Sequence, residues 1–290
     1  MENDYLIQKK PAAALLLFSL PMILGNLFQQ LYTMADSAIV GRYVGEQALA
    51  AVGASYALTN IFICVAIGGG IGASVIVSRY FGAREYARMK LALYTACLAF
   101  LGISILLGGA GLAFSQGIMR LLKTPADVLD MAVEYLNIYF LGLPFLFLYN
   151  VLSSMFNALG KSRIPLYFLI FSSVFNVVLD VLMVTKFHMG VAGVAWATLI
   201  AQGISAVLSF VVLLRELRQF PCEKSGVFSC PELLRMTRIA LPSILQQSTV
   251  SIGMMLVQSV VNSFGSEALA GFSACLLYTS PSPRDGLLSR

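Results

Sequence analysis

Charge is what this sequence has least of. Only 11% of its 290 residues are Asp, Glu, Lys or Arg, while 58% are hydrophobic. A soluble domain carries about 25% charged residues, so this composition cannot build a water-facing surface. Histidine is nearly missing too; His188 stands alone and is expected in a short loop, solvated. The five cysteines, Cys64, Cys97, Cys222, Cys230 and Cys275, form no CxxC and no Cys/His cluster. That spacing argues against both a disulfide framework and a zinc site. The glycine run Gly68-Gly69-Gly70-Ile71-Gly72 is not followed by GK[ST] and is no phosphate loop. It is open to two readings, a close approach between helices or a local weak point. The polar residues 1–10 lead into a spanning-length run without a cleavage pattern, so no removable signal peptide is expected.

What the chain does have is long apolar runs. Spans are predicted at 14–37, 50–78, 91–115, 131–157, 164–186, 191–214 and 239–262, with an eighth beginning near 268. Runs of this length argue for a bundle of membrane helices, because barrel strands give short alternating segments. The fold class read from the sequence is therefore an all-α polytopic membrane protein. Loop charge sets the expected orientation. With the N-terminus cytoplasmic, the inner segments hold Lys9, Lys10, Arg79, Arg84, Arg88, Lys90, Lys161, Arg163, Arg215, Arg218, Lys224, Arg235 and Arg238. The outer segments hold only Arg42, Arg120, Lys123 and Lys186. This bias follows the positive-inside rule, so the net charge of +5 reflects topology and not nucleic-acid binding. The basic residues between spans six and seven read as a solvated linker.

The chain also repeats itself. Leu20-Pro21-Met22-Ile23-Leu24 returns as Leu241-Pro242-Ser243-Ile244-Leu245, and Gly45-Glu46-Gln47-Ala48-Leu49-Ala50 returns as Gly265-Ser266-Glu267-Ala268-Leu269-Ala270. The copies lie six spans apart, an even number, so both enter the membrane in the same direction. That is a parallel repeat of six-helix units, an architecture of secondary transporters. Two full units at this period need roughly 440 residues, so the second is expected to be incomplete here. The division read from the sequence is 1–218 as a first six-helix lobe, 219–238 as a cytoplasmic linker and 239–277 as the start of a second lobe. Residues 278–290, with Pro281, Pro283, Arg284 and Asp285, cannot continue a lipid-facing helix. They read as a non-native tail.

Two acidic residues lie well inside the apolar spans. Asp180 follows Asn176 by four residues, which puts both on one helix face, and Asp36 lies towards the end of the first span. An ionisable side chain in lipid costs roughly 2.5–3.5 kcal/mol on insertion scales, and such residues usually face a protein interior or a water-filled path. The two carboxylates are expected to form a cation or proton site. With Asn176 Oδ1 and Thr198 Oγ, the oxygen ligands suit a hard cation such as Na⁺. Alternatively, the two carboxyls share or take up a proton, since neighbouring like charges resist joint ionisation. The bland alternative is a structural role, each carboxylate satisfied by nearby amides and hydroxyls. Pro21, in the same helix as Asp36, is either a static bend or a hinge.

Taken together, Leu20-Pro21, Gln29-Gln30-Leu31-Tyr32-Thr33-Met34-Ala35-Asp36, Val40-Gly41-Arg42-Tyr43-Val44-Gly45, Asn157-Ala158-Leu159-Gly160-Lys161 and Asn176–Asp180 make the chain resemble the MATE (multidrug and toxic compound extrusion) family over about residues 1–277. The resemblance implies two six-helix lobes in a V around a central cavity. It implies export of amphipathic, often cationic compounds in exchange for Na⁺ or H⁺, with no cofactor beyond the coupling ion. It implies a first-lobe cation site at Asp36, Asn176, Asp180 and Thr198, supported by Tyr32 and Tyr135, with Pro21 as the kinking proline. The partners expected are the lipid bilayer, small drug substrates and the rest of a second lobe, in a plasma membrane. Some branches place a glutamate on the seventh helix, but no acidic residue lies between Leu241 and Ser263.

Two other functions are weaker. A lipid-linked saccharide flippase would need cationic residues in its cavity, and the spans carry almost no Lys or Arg. An intramembrane aspartyl protease would need GxGD, but Asp180 lies in Leu179-Asp180-Val181. Neither HExxH nor a G-x-S-x-G elbow is present. The chain is not expected to be an enzyme.

Overall fold

The computed structural model describes residues 11–220 and 226–279. Its helices are α1 (Pro11–Ile39), α2 (Glu46–Gly82), α3 (Tyr86–Leu121), α4 (Ala126–Ala158), α5 (Arg163–Thr185), α6 (Gly190–Arg218), α7 (Cys230–Asn262) and α8 (Ser266–Thr279). Each predicted span falls on one of them to within a residue, and most helices run several residues past the apolar run. Among the described residues, α3, α4, α5, α6 and the Leu58–Gly82 part of α2 are long and apolar enough to cross a bilayer. The chain is an all-α, multi-pass membrane protein.

Local chemistry explains the ends. Gly160, just past α4, and Gly45, just before α2, have φ of 75° and 113°, where a side chain would be strained. Gly265, the repeat counterpart of Gly45, opens α8 with φ 97°. Between α1 and Gly45 the backbone widens into a π-helical turn, Val40–Val44, closed by Gly45 N–H donating to Val40 O at 3.1 Å. The apolar pattern gives no sign of that turn. α7 starts at Cys230, inside the stretch read as linker, because Pro231 and Glu232 in its first turn are strong start signals. The rest of that linker, 221–225, lies outside the described residues. α8 runs to Thr279, two residues into the stretch read as a tail, and 280–290 lie outside the described residues. His188 is exposed in the α5–α6 turn, as expected.

The helices pack α1 on α5, α5 on α6, α4 between α2, α3 and α6, and α7 along α2. One apolar core joins α2, α3, α4 and the C-terminal end of α6 through Val77, Leu93, Phe156 and Leu213, with Met236 of α7 in it. A second joins the N-terminal half of α2, the C-terminal end of α3 and the N-terminal half of α4 through Ala54, Met119, Leu136 and Phe140. The glycine run is a close approach. A Cβ on Gly68 would sit 2.7 Å from the Ile244 backbone, and one on Gly72 would sit 2.7 Å from Ala240 N and Met236 O. Near this seam, Tyr80 Oη of α2 donates to Glu232 of α7 at 2.9 Å, and Arg235 donates to the same carboxylate at 3.1 Å. Arg235, expected to be merely solvated, thus helps hold α2 to α7.

Candidate functional site

α1, α5 and α6 each bring one polar stripe to the same place. Helical spacing puts Gln29, Tyr32 and Asp36 on one face of α1, and Ser173, Asn176 and Asp180 on one face of α5. Thr198, Gln202 and Ser205 do the same on α6. Since α5 packs against both α1 and α6, the stripes converge between the three helices.

Asp36 and Asp180 are close enough for each carboxyl to feel the other's charge. Asp180 is wholly buried and Asn176 is 2% exposed. Asn176 bridges Asp180 and Thr198. Both partners are satisfied when its Nδ2 donates to Asp180 Oδ2 at 2.6 Å and its Oδ1 accepts from Thr198 N and Oγ1 at 3.0 and 3.2 Å. This orientation follows from the hydrogen-bond partners. Tyr32 lines one cavity with Thr198, and Tyr32 and Tyr135 of α4 lie within electrostatic reach of both carboxylates. Six of the seven residues read from the sequence therefore meet in one cluster. Pro21 does not; buried in a continuous α1, it lies fifteen residues before Asp36, roughly 22 Å along the axis.

The cluster is short of positive charge. Asp36 Oδ1 and Asp180 Oδ1 are buried without a hydrogen-bond partner among the described residues. Among the described residues, the ion pairs are Arg88–Glu85, Lys161–Glu216 and Arg235–Glu232, none of which involves either carboxylate. Two unpaired buried carboxylates are costly unless neutralised by a proton or a cation. Two carboxylates, one amide and one hydroxyl fit a small hard cation. No group of three or more His, Cys, Asp or Glu among the described residues is placed to hold a metal ion.

Sequence reading passed over what lies beneath. A cavity of about 50 Å³ opens below the cluster, lined by Gln29, Ser173, Gln202, Ser205 and Tyr149 among others. The helical spacing of each stripe was the available signal, since three polar residues in register on one face of a membrane helix are unlikely to be accidental.

Comparisons with known proteins match the chain and its fold. The MatE family profile matches residues 21–182. The probable multidrug resistance protein YpnP of Bacillus subtilis is 34% identical over 261 residues, covering 90% of this chain and 58% of that protein. A multidrug resistance MATE family transporter of the MOP superfamily in an outward-facing conformation superposes with a TM-score of 0.82 at 25% identity, covering 97% of this chain and 62% of that one. An inward-facing conformation of such a transporter superposes at 0.75 with 23% identity, covering 90% and 60%. The chain thus spans about three-fifths of the length of these relatives. Over that length it belongs to the MATE family of transporters, and it is not an enzyme.

Proposed function

We propose that this chain carries the ion-coupling part of a secondary antiporter that exports amphipathic, often cationic compounds in exchange for Na⁺ or H⁺. The observation that carries this reading is the pair of orphaned carboxylate oxygens, Asp36 Oδ1 and Asp180 Oδ1, buried side by side with no cationic residue paired to them. A proton or Na⁺ arriving there neutralises the pair, with Asn176 and Thr198 offering neutral oxygens. Asn176 is poised for both conditions: its amide donates to an empty, charged Asp180, and rotation presents Oδ1 to a bound cation.

In this reading, residues 1–218 form one six-helix lobe, 219–238 link it to a second, and 239–277 begin that second lobe. The N-terminus lies in the cytoplasm of a cell bounded by the plasma membrane in which the chain sits. Residues 278–290 are not native to the transporter. The Gly68–Gly72 seam and the Tyr80–Glu232–Arg235 contacts then lie at the cytoplasmic side and hold α2 and α7 together while the outer side is open. The better superposition on the outward-facing relative supports that assignment. A cation can favour one facing only through unequal affinity for the two states. Its binding to α1 and α5 therefore has to shift α1, with Pro21 as the hinge, and drive the drug outward. Relatives described as multidrug export proteins support the substrate class.

The test is drug efflux from proteoliposomes holding the complete transporter, under a Na⁺ gradient or a pH gradient, each imposed alone. One gradient is expected to drive efflux of an ethidium-like cation, and Asp36→Asn or Asp180→Asn is expected to abolish it with protein level unchanged. Undiminished gradient-driven efflux in both variants would falsify the coupling role.

A further inference from the structure

Several buried hydroxyls in this bundle are satisfied by their own helix, although Thr124 Oγ1, away from the carboxylates, is not. Ser55, Thr95 and Ser104 each donate back to a carbonyl three or four residues earlier, at 3.0, 2.7 and 2.8 Å. Ser205 on α6 does not. It is 1% exposed, its Oγ has no hydrogen-bond partner, and it lines the cavity beneath the carboxylates. A buried hydroxyl left unpaired is costly, so the site favours an occupant that can bond to it.

The cavity's size and lining select that occupant. Its volume of about 50 Å³ holds a few waters or a partly hydrated monovalent ion, whereas a drug-sized pocket needs roughly 300 Å³ or more. The upper wall is Asn176 and Thr198, two members of the cation cluster. Seven residues from Asp36, Asp180 and Thr198 along their helices, roughly 10 Å by the helical rise, the lining is still polar: Gln29, Ser173 and Ser205. At the lower end stands Tyr149 of α4, its hydroxyl 3.5 Å from Pro165 O in the first turn of α5. All of this lies on the α5 N-terminal side of the carboxylates, the side placed in the cytoplasm.

We propose that this cavity is a hydrated inner station for the coupling cation. The ion leaving Asp36 and Asp180 is taken up by waters held on Ser205, Gln202 and Ser173, then passes Tyr149 to the cytoplasm inside the α1–α4–α5–α6 bundle. The ion thus leaves by a route separate from the α2–α7 seam. The proposal rests on the reading of Asp36 and Asp180 as the coupling site.

The experiment is thiol accessibility in the complete transporter, reconstituted with its native cysteines replaced. S205C is probed with a small, positively charged, membrane-impermeant methanethiosulfonate applied to one side at a time. R163C serves as a reactive control and V207C, on the exposed face of α6, as a lipid-facing one. S205C is expected to react from the cytoplasmic side only, several-fold faster when combined with Tyr149→Ala. Its rate is expected to fall with rising Na⁺ if Na⁺ is the coupling ion, or with falling pH at fixed thiolate fraction if the proton is. That dependence is expected to vanish in Asp180→Asn. Failure of S205C to react from the cytoplasmic side even with Tyr149→Ala, or reaction from the outer side alone, overturns the station. Reaction without any ion dependence overturns its role in coupling. Neither result touches gradient-driven efflux, whose loss or survival in the aspartate variants judges the coupling site separately.

Discussion

Between α2, α3 and α4 the helices meet through glycines and aromatic rings, whereas between α1, α5 and α6 they meet through hydroxyls, amides and two carboxylates. On the first side Phe140 is 1% exposed, and its ring lies 2.6 Å from where a Cβ on Gly111 would sit. It meets Phe62 edge to face, with ring centres 5.4 Å apart. On the second side Asp36, Asp180 and Ser205 each leave a buried oxygen unpaired. Lipid supplies no hydrophobic drive between helices, so close packing has to hold the first side together. That rigidity lets the second side keep groups that cost stability in the empty protein, a division common where a site needs poorly satisfied polar atoms.

The contrast can be broken most severely on the tight side. Phe140→Ala is expected to destabilise the protein by roughly 3–5 kcal/mol, read as a loss of folded protein in detergent on size-exclusion after heating. A variant as stable as its parent would mean that the α3–α4 contact is slack. Gly72→Val comes next. Its new side chain meets the Ala240 and Met236 backbone, which cannot move aside as a side chain can, and overpacking of this kind costs roughly 1–3 kcal/mol. The same thermal assay should show it, with Gly82→Val as a neutral comparison because nothing lies near that position.

On the polar side the sign should reverse. Asp180→Asn removes one of two buried carboxyls that crowd each other without a cationic partner, so at neutral pH without Na⁺ it is expected to raise the melting temperature. A gain of about 1 kcal/mol would give roughly 2–4 °C in a chain of this size. A clear fall would mean that the carboxylate is satisfied in the resting protein and structural. The smallest effect is expected at the α2–α7 contact. Glu232→Gln keeps an acceptor for Tyr80 but loses the charge that Arg235 faces. A loss near 1 kcal/mol would change the open-to-closed ratio by about fivefold. Spin-label distances between positions 84 and 229 report it, and an unchanged distribution would remove Glu232 from the contact's energetics.

Much of this was legible beforehand, for identifiable reasons. The eight helices follow from apolar length alone. Asp36 and Asp180 stand out because a carboxylate in an apolar run has few explanations. The Val40–Val44 turn was not legible, since one extra residue per turn leaves the hydrophobic pattern almost unchanged. The start of α7 at Cys230 was hidden because its first turns are polar, and apolar runs were the measure. Gly68–Gly72 could be read two ways until Ala240 and Ile244 stood beside it. The stripes on α1 and α6 were visible only in part: Gln29, Gln202 and Ser205 are uncharged, and serine and glutamine in a membrane helix carry less weight than an acid.

Met236 belongs to α7, beyond the linker, yet it is 4% exposed inside a core formed with Met89, Leu93 and Leu213 of the preceding helices. The dividing line along the chain is therefore not a dividing line in space. Removing α7 from its place would uncover an oily socket, not a clean surface.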